Sequence, residues 1–279
     1  MPMTGWQPAV GLPLLRPQRG SAIRTSAGKP FRPAAAAVTL VTAVTLAVTL
    51  LAAGCDGSPA APGRPAGAGA AAGPSGTQAG RTTLAALQTA TARFARPHGN
   101  RTGKVPATWY GARSVLPVVA TRPGWTEVRL AQRPNNSRAW VPSSGLTMSS
   151  TPYRIVIDLA STHLDLYKNG RRIMSAPAGV GTTSDPTPAG HYFVAFLEAP
   201  PSPNPGYGAF IIVTSAHSES ITNWQNSGDA VIGIHGPLGS DQAIGRAGAR
   251  ISHGCVRLHE RDLLQLRLVP PGTPIDIVR

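Results

Sequence analysis

The alternation of apolar and polar residues that a packed sheet requires begins only near residue 83 of this 279-residue chain, and that onset limits what can fold. Three stretches of different composition precede it. Residues 1–33 are basic and contain no Asp or Glu, residues 34–53 are almost wholly apolar, and residues 56–82 are dominated by Ala, Gly, Pro, Ser and Thr. The third stretch has too few large apolar side chains to offset the conformational entropy lost on folding. It is expected to be a disordered linker, extended by its prolines. The remainder, about 83–279, is long enough for one or two domains with cores of their own.

In that remainder strand signals are frequent and helix signals scarce. Residues 153–159 and 163–168 alternate as strands, and Asn169-Gly170 is a two-residue hairpin turn leading into a strand at 171–177. Further strands are expected near 190–197, 209–215 and 272–278. One short helix is expected over 259–268, with Leu263, Leu264, Leu266 and Leu268 as its apolar residues. The fold class expected is mostly β, a sandwich with one or two short helices over 151–279. A smaller unit, expected to be a small β-barrel, precedes it over 83–150, with short strands at 115–120, 122–130 and 139–142, turns rich in Gly, Pro and Asn, and Trp125 and Trp140.

The order of the first 55 residues is that of an export signal rather than a fold element. A basic segment is followed by the apolar run and then by Leu51-Ala52-Ala53-Gly54-Cys55. A Cys directly after Ala-Gly resembles the bacterial lipoprotein signal, which makes Cys55 a lipidation candidate and the mature N-terminus. Position 52 is Ala where that signal usually has Leu, so an uncleaved anchor of about 20 apolar residues is the alternative. Either way membrane attachment is through the N-terminal lipid or anchor helix. The rest of the chain is expected outside the cytoplasm, at the outer face of the membrane or in the cell wall.

Formal net charge is +14, from 26 Lys and Arg against 12 Asp and Glu. Five of the basic residues and none of the acids lie before Cys55, so a basic surplus persists in the folding part. Such a surface attracts anionic polymers. No basic stripe interleaved with aromatics is present, so nucleic acid is not an expected partner.

There are two cysteines, Cys55 and Cys255. With Cys55 lipidated, Cys255 has no partner in an oxidising compartment. It is then an inert buried thiol or a nucleophile; a Cys55–Cys255 disulfide is a third possibility. Its neighbours are Ile251-Ser252-His253-Gly254-Cys255-Val256-Arg257-Leu258, and upstream stands Val231-Ile232-Gly233-Ile234-His235-Gly236. Read as strands, the first run puts His253, Cys255 and Arg257 on one face and Val256 and Leu258 on the other. In the second, His235 opposes Ile232 and Ile234. Side by side, the two runs would gather His235, His253, Cys255 and Arg257 in one cleft. A thiol near pKa 8.5 needs a neighbouring imidazole to take its proton before it attacks a carbonyl. Gly254 permits close approach of main chain and substrate, and N–H groups around Cys255 suit an oxyanion hole. No His or Cys spacing suits a metal, so no metal and no cofactor are expected.

His235-Gly236, with 16 residues between His235 and Ser252, and then Ser252-His253-Gly254-Cys255-Val256-Arg257 resembles the signature of the L,D-transpeptidase (YkuD-type) catalytic domain. The resemblance covers about 152–279. It includes Gly181-Thr182-Thr183, the segment from Thr187 to Tyr192, and Ser215-Ala216-His217-Ser218. It implies Cys255 as nucleophile and His235 as general base. It gives His253 a site-shaping role and places Ser252, Gly254 and Arg257 at the remaining motif positions. Arg257 is either a ligand for a stem-peptide carboxylate or a structural ion-pair partner. With Gly at position 236, a main-chain carbonyl rather than a side chain is expected to orient His235. The implied partners are peptidoglycan stem peptides. The implied reaction is an acyl-enzyme exchange that releases terminal D-Ala and cross-links to an acceptor amine. A carboxypeptidase or other thiol hydrolase on the same site is one alternative, and a non-catalytic wall-binding lipoprotein another. The 83–150 unit resembles the SH3-like segments that precede some such domains, for wall binding or as scaffold. His217 is expected to be structural, and Tyr207-Gly208, after the Pro-rich 200–205, to belong to a flap. The sequence leaves the oligomeric state unknown.

Overall fold

The computed structural model describes residues 77–78, 80–224 and 227–279. The export signal, Cys55 and almost all of the 56–82 linker lie outside the described residues. Arg81 and Thr82, counted with the linker by composition, already belong to a strand: Thr82 stands opposite Thr151 in a ladder, and that pairing carries them into the sheet. The described residues belong to one compact unit.

The described residues are mostly β with one short α-helix. The 80–151 region contributes β1 (Arg81–Leu87), β2 (Thr91–Phe94), β3 (Arg101–Val105), β4 (Val115–Arg122), β5 (Trp125–Arg129), β6 (Arg138–Pro142) and β7 (Leu146–Thr151). Neighbours pair in the order β1-β4-β5-β6-β2-β3, with β7 also on β1. Strand alternation sends Leu116, Val118, Val128, Leu130, Ala139 and Val141 to one buried cluster.

Eight strands form the sheet of the second region: β8 (Tyr153–Asp158), β9 (His163–Lys168), β10 (Arg171–Pro177), β11 (Gly190–Glu198), β12 (Ile211–His217), β13 (Val231–His235), β15 (Val256–Arg257) and β16 (Pro274–Val278). The short β14 (Arg250–Ser252) pairs instead with Val180–Gly181, and α1 spans Glu260–Gln265 before a single 3-10 turn. The order is β10-β9-β8-β16-β11-β12-β13-β15. Asn169 and Gly170 take positive φ at the β9–β10 hairpin, as its tight turn requires. Every residue of β12 and β13 is buried. In β12, Ile212 and Ala216 enter the main core while Ile211 and Val213 enter a second cluster with Tyr207 and Val231. These strands are therefore covered on both faces, and they carry the site.

The two regions share core. Phe193, on β11, is 2 % exposed and packs in the cluster of the 80–151 strands rather than with its own sheet's main core. Arg133 reaches Asp229 at 2.8 Å, and Asn135 exchanges two hydrogen bonds with the His217 backbone. Phe193→Ala is expected to cost about 3–5 kcal/mol through the cavity it leaves. Thermal unfolding is expected to remain one cooperative transition at lower temperature, because one side chain supports both regions.

Candidate active site

β13 and β15 run parallel, with Ile234 opposite Val256 and His235 opposite Arg257. One step back along that register, Cys255 meets Gly233, whose N–H donates to Sγ at 3.4 Å. Residues opposite each other in a ladder share a face. Cys255 and Arg257 therefore lie with Gly233 and His235, while Ile232, Ile234, Val256 and Leu258 fill the core on the other side. Gly233 has no side chain on that face to compete with the sulfur. The thiol and the imidazole are nearly covered, with Cys255 3 % and His235 1 % exposed. Cys255 is a free cysteine.

The 251–258 run is not the single strand that alternation suggests. It is broken at residues 253–255 between β14 and β15. Side chains take the backbone groups that a ladder would use. Thr187 Oγ1 donates to the Gly254 carbonyl at 2.7 Å, Ser252 Oγ donates to the Cys255 carbonyl, and the Gly254 N–H donates to Ser252 Oγ at 3.1 Å. Gly254 sits at φ 118°, where an L side chain is strained, and an added Cβ would lie 2.8 Å from Ile232. At this bend His253 leaves the strand alternation. It is exposed, with its ring 5.7 Å from that of Trp224.

His235 Nδ1 lies 2.8 Å from the Gly236 carbonyl. A carbonyl only accepts, so Nδ1 carries the proton and Nε2 keeps a lone pair. Burial holds the imidazole down, to a pKa of about 4 against an ordinary 6.5, with the Arg257 charge adding to the effect. Burial pushes the Cys255 thiol up to about 11, opposed by the Gly233 N–H and by Arg257. The resting pair is therefore a neutral thiol and a neutral imidazole. Arg257 donates through Nη1 to Ser240 Oγ at 2.8 Å, while its buried Nε has no hydrogen-bond partner among the described residues. No carboxylate is seen paired with it among the described residues.

Gly236 is where the 204–209 segment closes on the site. The Gly236 N–H donates to the Tyr207 carbonyl at 2.7 Å, and the Tyr207 ring stands edge-on to His235 at 4.9 Å. A Cβ at 236 would meet Gly208 and Tyr207 backbone atoms at 2.8 Å. Tyr207 is 1 % exposed, and the Ala209 N–H is held by Glu260. Tyr207 is thus packed onto the site, while Asn204, Pro205 and Ala209 of the same segment are exposed. His217 is buried between the Ala131 carbonyl at 2.7 Å and Asp229 at 2.8 Å, a structural arrangement.

Two residues with no assigned role in the sequence reading, Gly233 and Thr187, belong to this site beside Tyr207, which is expected in a flap. Gly233 seats the sulfur and Tyr207 walls the imidazole. Thr187, 3 % exposed, also accepts the Gly181 N–H at 2.8 Å and so ties two segments to the nucleophile's turn. Replacing Thr187 with Val leaves both backbone groups buried and unpaired, at a cost of about 2–4 kcal/mol. The variant is expected to unfold at lower temperature and to lose kcat more than it gains KM, with Thr187→Ser restoring both.

The site is thus a covered thiol and a neutral imidazole on one face of a β scaffold, beside a backbone turn fixed by hydroxyls. Residues 152–277 match the L,D-transpeptidase catalytic domain (YkuD) family. Two Bacillus proteins that carry the name L,D-transpeptidase YkuD are similar. The Bacillus licheniformis protein is 33 % identical over 129 residues, 45 % of this chain and 66 % of its own length. The Bacillus subtilis protein is 30 % identical over 131 residues, 46 % of this chain and 67 % of its own. The chain belongs to the YkuD L,D-transpeptidase family. It spans about two thirds of the length of these curated relatives. Among solved structures, an L,D-transpeptidase from Mycobacterium smegmatis is similar at a TM-score of 0.37 and 17 % identity, over 60 % of this chain and 91 % of that one. A mutant L,D-transpeptidase from Enterococcus faecium is similar at 0.35 and 22 % identity, over 45 % of this chain and 49 % of that one.

Proposed function

We propose that this chain is a peptidoglycan L,D-transpeptidase that works through a thioester on Cys255. The observation that carries the reading is the shared face of Cys255 and His235, with the sulfur seated on Gly233 and the imidazole tautomer set by Gly236. The thiol attacks the carbonyl of the third residue of a tetrapeptide stem. As the C–S bond forms, His235 Nε2 takes the thiol proton. It returns that proton to the departing amine, the C–N bond breaks, and D-Ala leaves. The amine of a second stem then attacks the thioester, gives its proton through His235 and restores the thiol. The free N–H of Arg257 suits a stem carboxylate. Because the sulfur is nearly covered, substrate entry must displace part of that cover. A donor stem outside the cytoplasm fits the export signal and membrane attachment expected of residues 1–55.

Incubation of the protein with a disaccharide-tetrapeptide, followed by mass spectrometry of the products, tests this reading. Loss of one Ala together with a cross-linked dimer is the expected result. A tripeptide without dimer, whatever the acceptor concentration, replaces transpeptidation by carboxypeptidase action. No change in the substrate overturns both.

A further inference from the structure

The tip of the β9–β10 hairpin gathers more positive charge than the fold offsets. Lys168 stands opposite Arg171 in the ladder, so two like charges face each other across the strands, a pairing that works against the hairpin. Both residues are exposed. Arg172, also exposed, reaches Asp165 at 3.2 Å, the only ion pair made by these three cations among the described residues. Lys168 lies along Tyr153, with Nζ 5.4 Å from the ring centroid. Ile173 is skipped by the ladder, between Arg172 and Met174, and is 54 % exposed. The chain comes in from its N-terminal segments at this same turn. Gly80 lies so close to it that an added Cβ would stand 2.6 Å from the Asn169 carbonyl carbon. Only 24 residues, 56–79, separate Cys55 from Gly80. Fully extended, a segment of that length spans at most about 85 Å, and as a coil it averages about 27 Å.

An exposed apolar side chain among cations, at the point where a chain expected to be held at a membrane enters its fold, suits an anionic lipid bilayer. We propose that the hairpin tip, Lys168, Arg171 and Arg172 around Ile173, docks on anionic lipid headgroups. A second copy is a poor occupant, because a self-complementary contact sets the same cations against each other. The contact orients the enzyme. β10 leads from this tip to the thiol site: eight residues on from Arg171, the Gly179 N–H donates to the Arg257 carbonyl at 2.8 Å. At about 3.3 Å per residue, that run lifts the thiol site roughly 25 Å from the tip, toward the wall. The inference rests on the export reading of residues 1–55, which brings the membrane within reach.

The test is amide hydrogen exchange of the full chain reconstituted with lipid vesicles. Phosphatidylglycerol vesicles are expected to slow exchange over 166–174 at least about five-fold relative to phosphatidylcholine vesicles. Exchange over 260–265 is expected to be the same in both and serves as the reference for folding. Lys168→Gln, Arg171→Gln and Arg172→Gln together are expected to abolish the difference, as is about 0.5 M NaCl. Ile173→Ser is expected to reduce it. All four positions are exposed, and turnover of a soluble disaccharide-tetrapeptide is expected to be unchanged in these variants. Equal exchange in the two vesicle types overturns the proposal. So does equal slowing by soluble inorganic polyphosphate, which makes the ligand a phosphate polymer rather than a bilayer. Slowing that grows with protein concentration in vesicle-free solution assigns the tip to a second copy and overturns it too. Flotation with the vesicles separates this inference from the export reading. A chain that floats with both lipids yet shows equal exchange overturns the tip alone. A chain that floats only with phosphatidylglycerol, and no longer does so in the triple variant, upholds the tip and overturns attachment through residues 1–55. A chain that floats with neither overturns both.

Discussion

Cys255→Ser is expected to lower turnover of a disaccharide-tetrapeptide by roughly three orders of magnitude or more, while the fold survives. A hydroxyl fills nearly the same volume, and the Gly233 N–H that meets the sulfur can meet an oxygen. The stability change is therefore expected to stay near 1 kcal/mol. The loss is chemical. A serine hydroxyl is far less acidic than a thiol, and an imidazole held near pKa 4 is too weak a base to compensate. Steady-state kinetics beside a thermal melt separates the two effects. A variant that melts like the parent and turns over within ten-fold of it would contradict the assignment.

The second large effect concerns His235. His235→Gln is expected to reduce kcat/KM by roughly 10²–10⁴-fold, the usual contribution of a positioned base. The pH profiles are expected to differ in form. With the imidazole near pKa 4 and the thiol near 11, the parent's kcat/KM should be flat across neutral pH and fall only as pH approaches 4. The Gln variant lacks a base and depends on thiolate already formed, so its residual rate should rise about ten-fold per pH unit toward 11. Stability follows the same shifts. The folded pKa of His235 lies below its ordinary 6.5, so between 6.5 and 4 the unfolded chain binds more protons. Stability is then fully present above 6.5 and declines as pH falls toward 4, by on the order of 3 kcal/mol. For Cys255 the folded pKa lies above the ordinary 9, so stability is present below 9 and declines as pH rises toward 11. Melting His235→Gln across the acid range is expected to show a shallower decline than the parent.

Local chemistry made much of this legible in sequence. The Asn169-Gly170 hairpin, the strands beside it and the helix near 260 follow from turn residues and alternation, and the structure places them within a few residues. The motif residues 235 and 255 could be named because their types and spacing are distinctive. Three things could not be read this way. The break at 253–255 depends on hydroxyls of Thr187 and Ser252 replacing ladder bonds, and Thr187 is 67 residues from Gly254. Alternation alone therefore could not foresee that His253 leaves the ladder and stands exposed with its ring beside Trp224. The covering of the sulfur is a tertiary property. It arises because β12 and β13 are packed on both faces and Tyr207 returns over His235 from the Pro-rich segment. Composition marked that segment as mobile, but its hydrogen bonds to Gly236, Leu238 and Glu260 come from residues distant in sequence. Phe193, likewise, reads as one more strand residue and serves the core of the preceding region.

The central claim is that the covered sulfur of residue 255 is the group that becomes acylated. Incubation of the folded protein with a carbapenem, whose strained ring amide acylates thiolates, followed by intact-mass and peptide mass spectrometry, tests it most directly. The account predicts one adduct per chain, mapped to Cys255, absent from Cys255→Ser and slowed in His235→Gln. A protein that melts cooperatively yet gains no mass, or gains it at a residue other than Cys255, would contradict it.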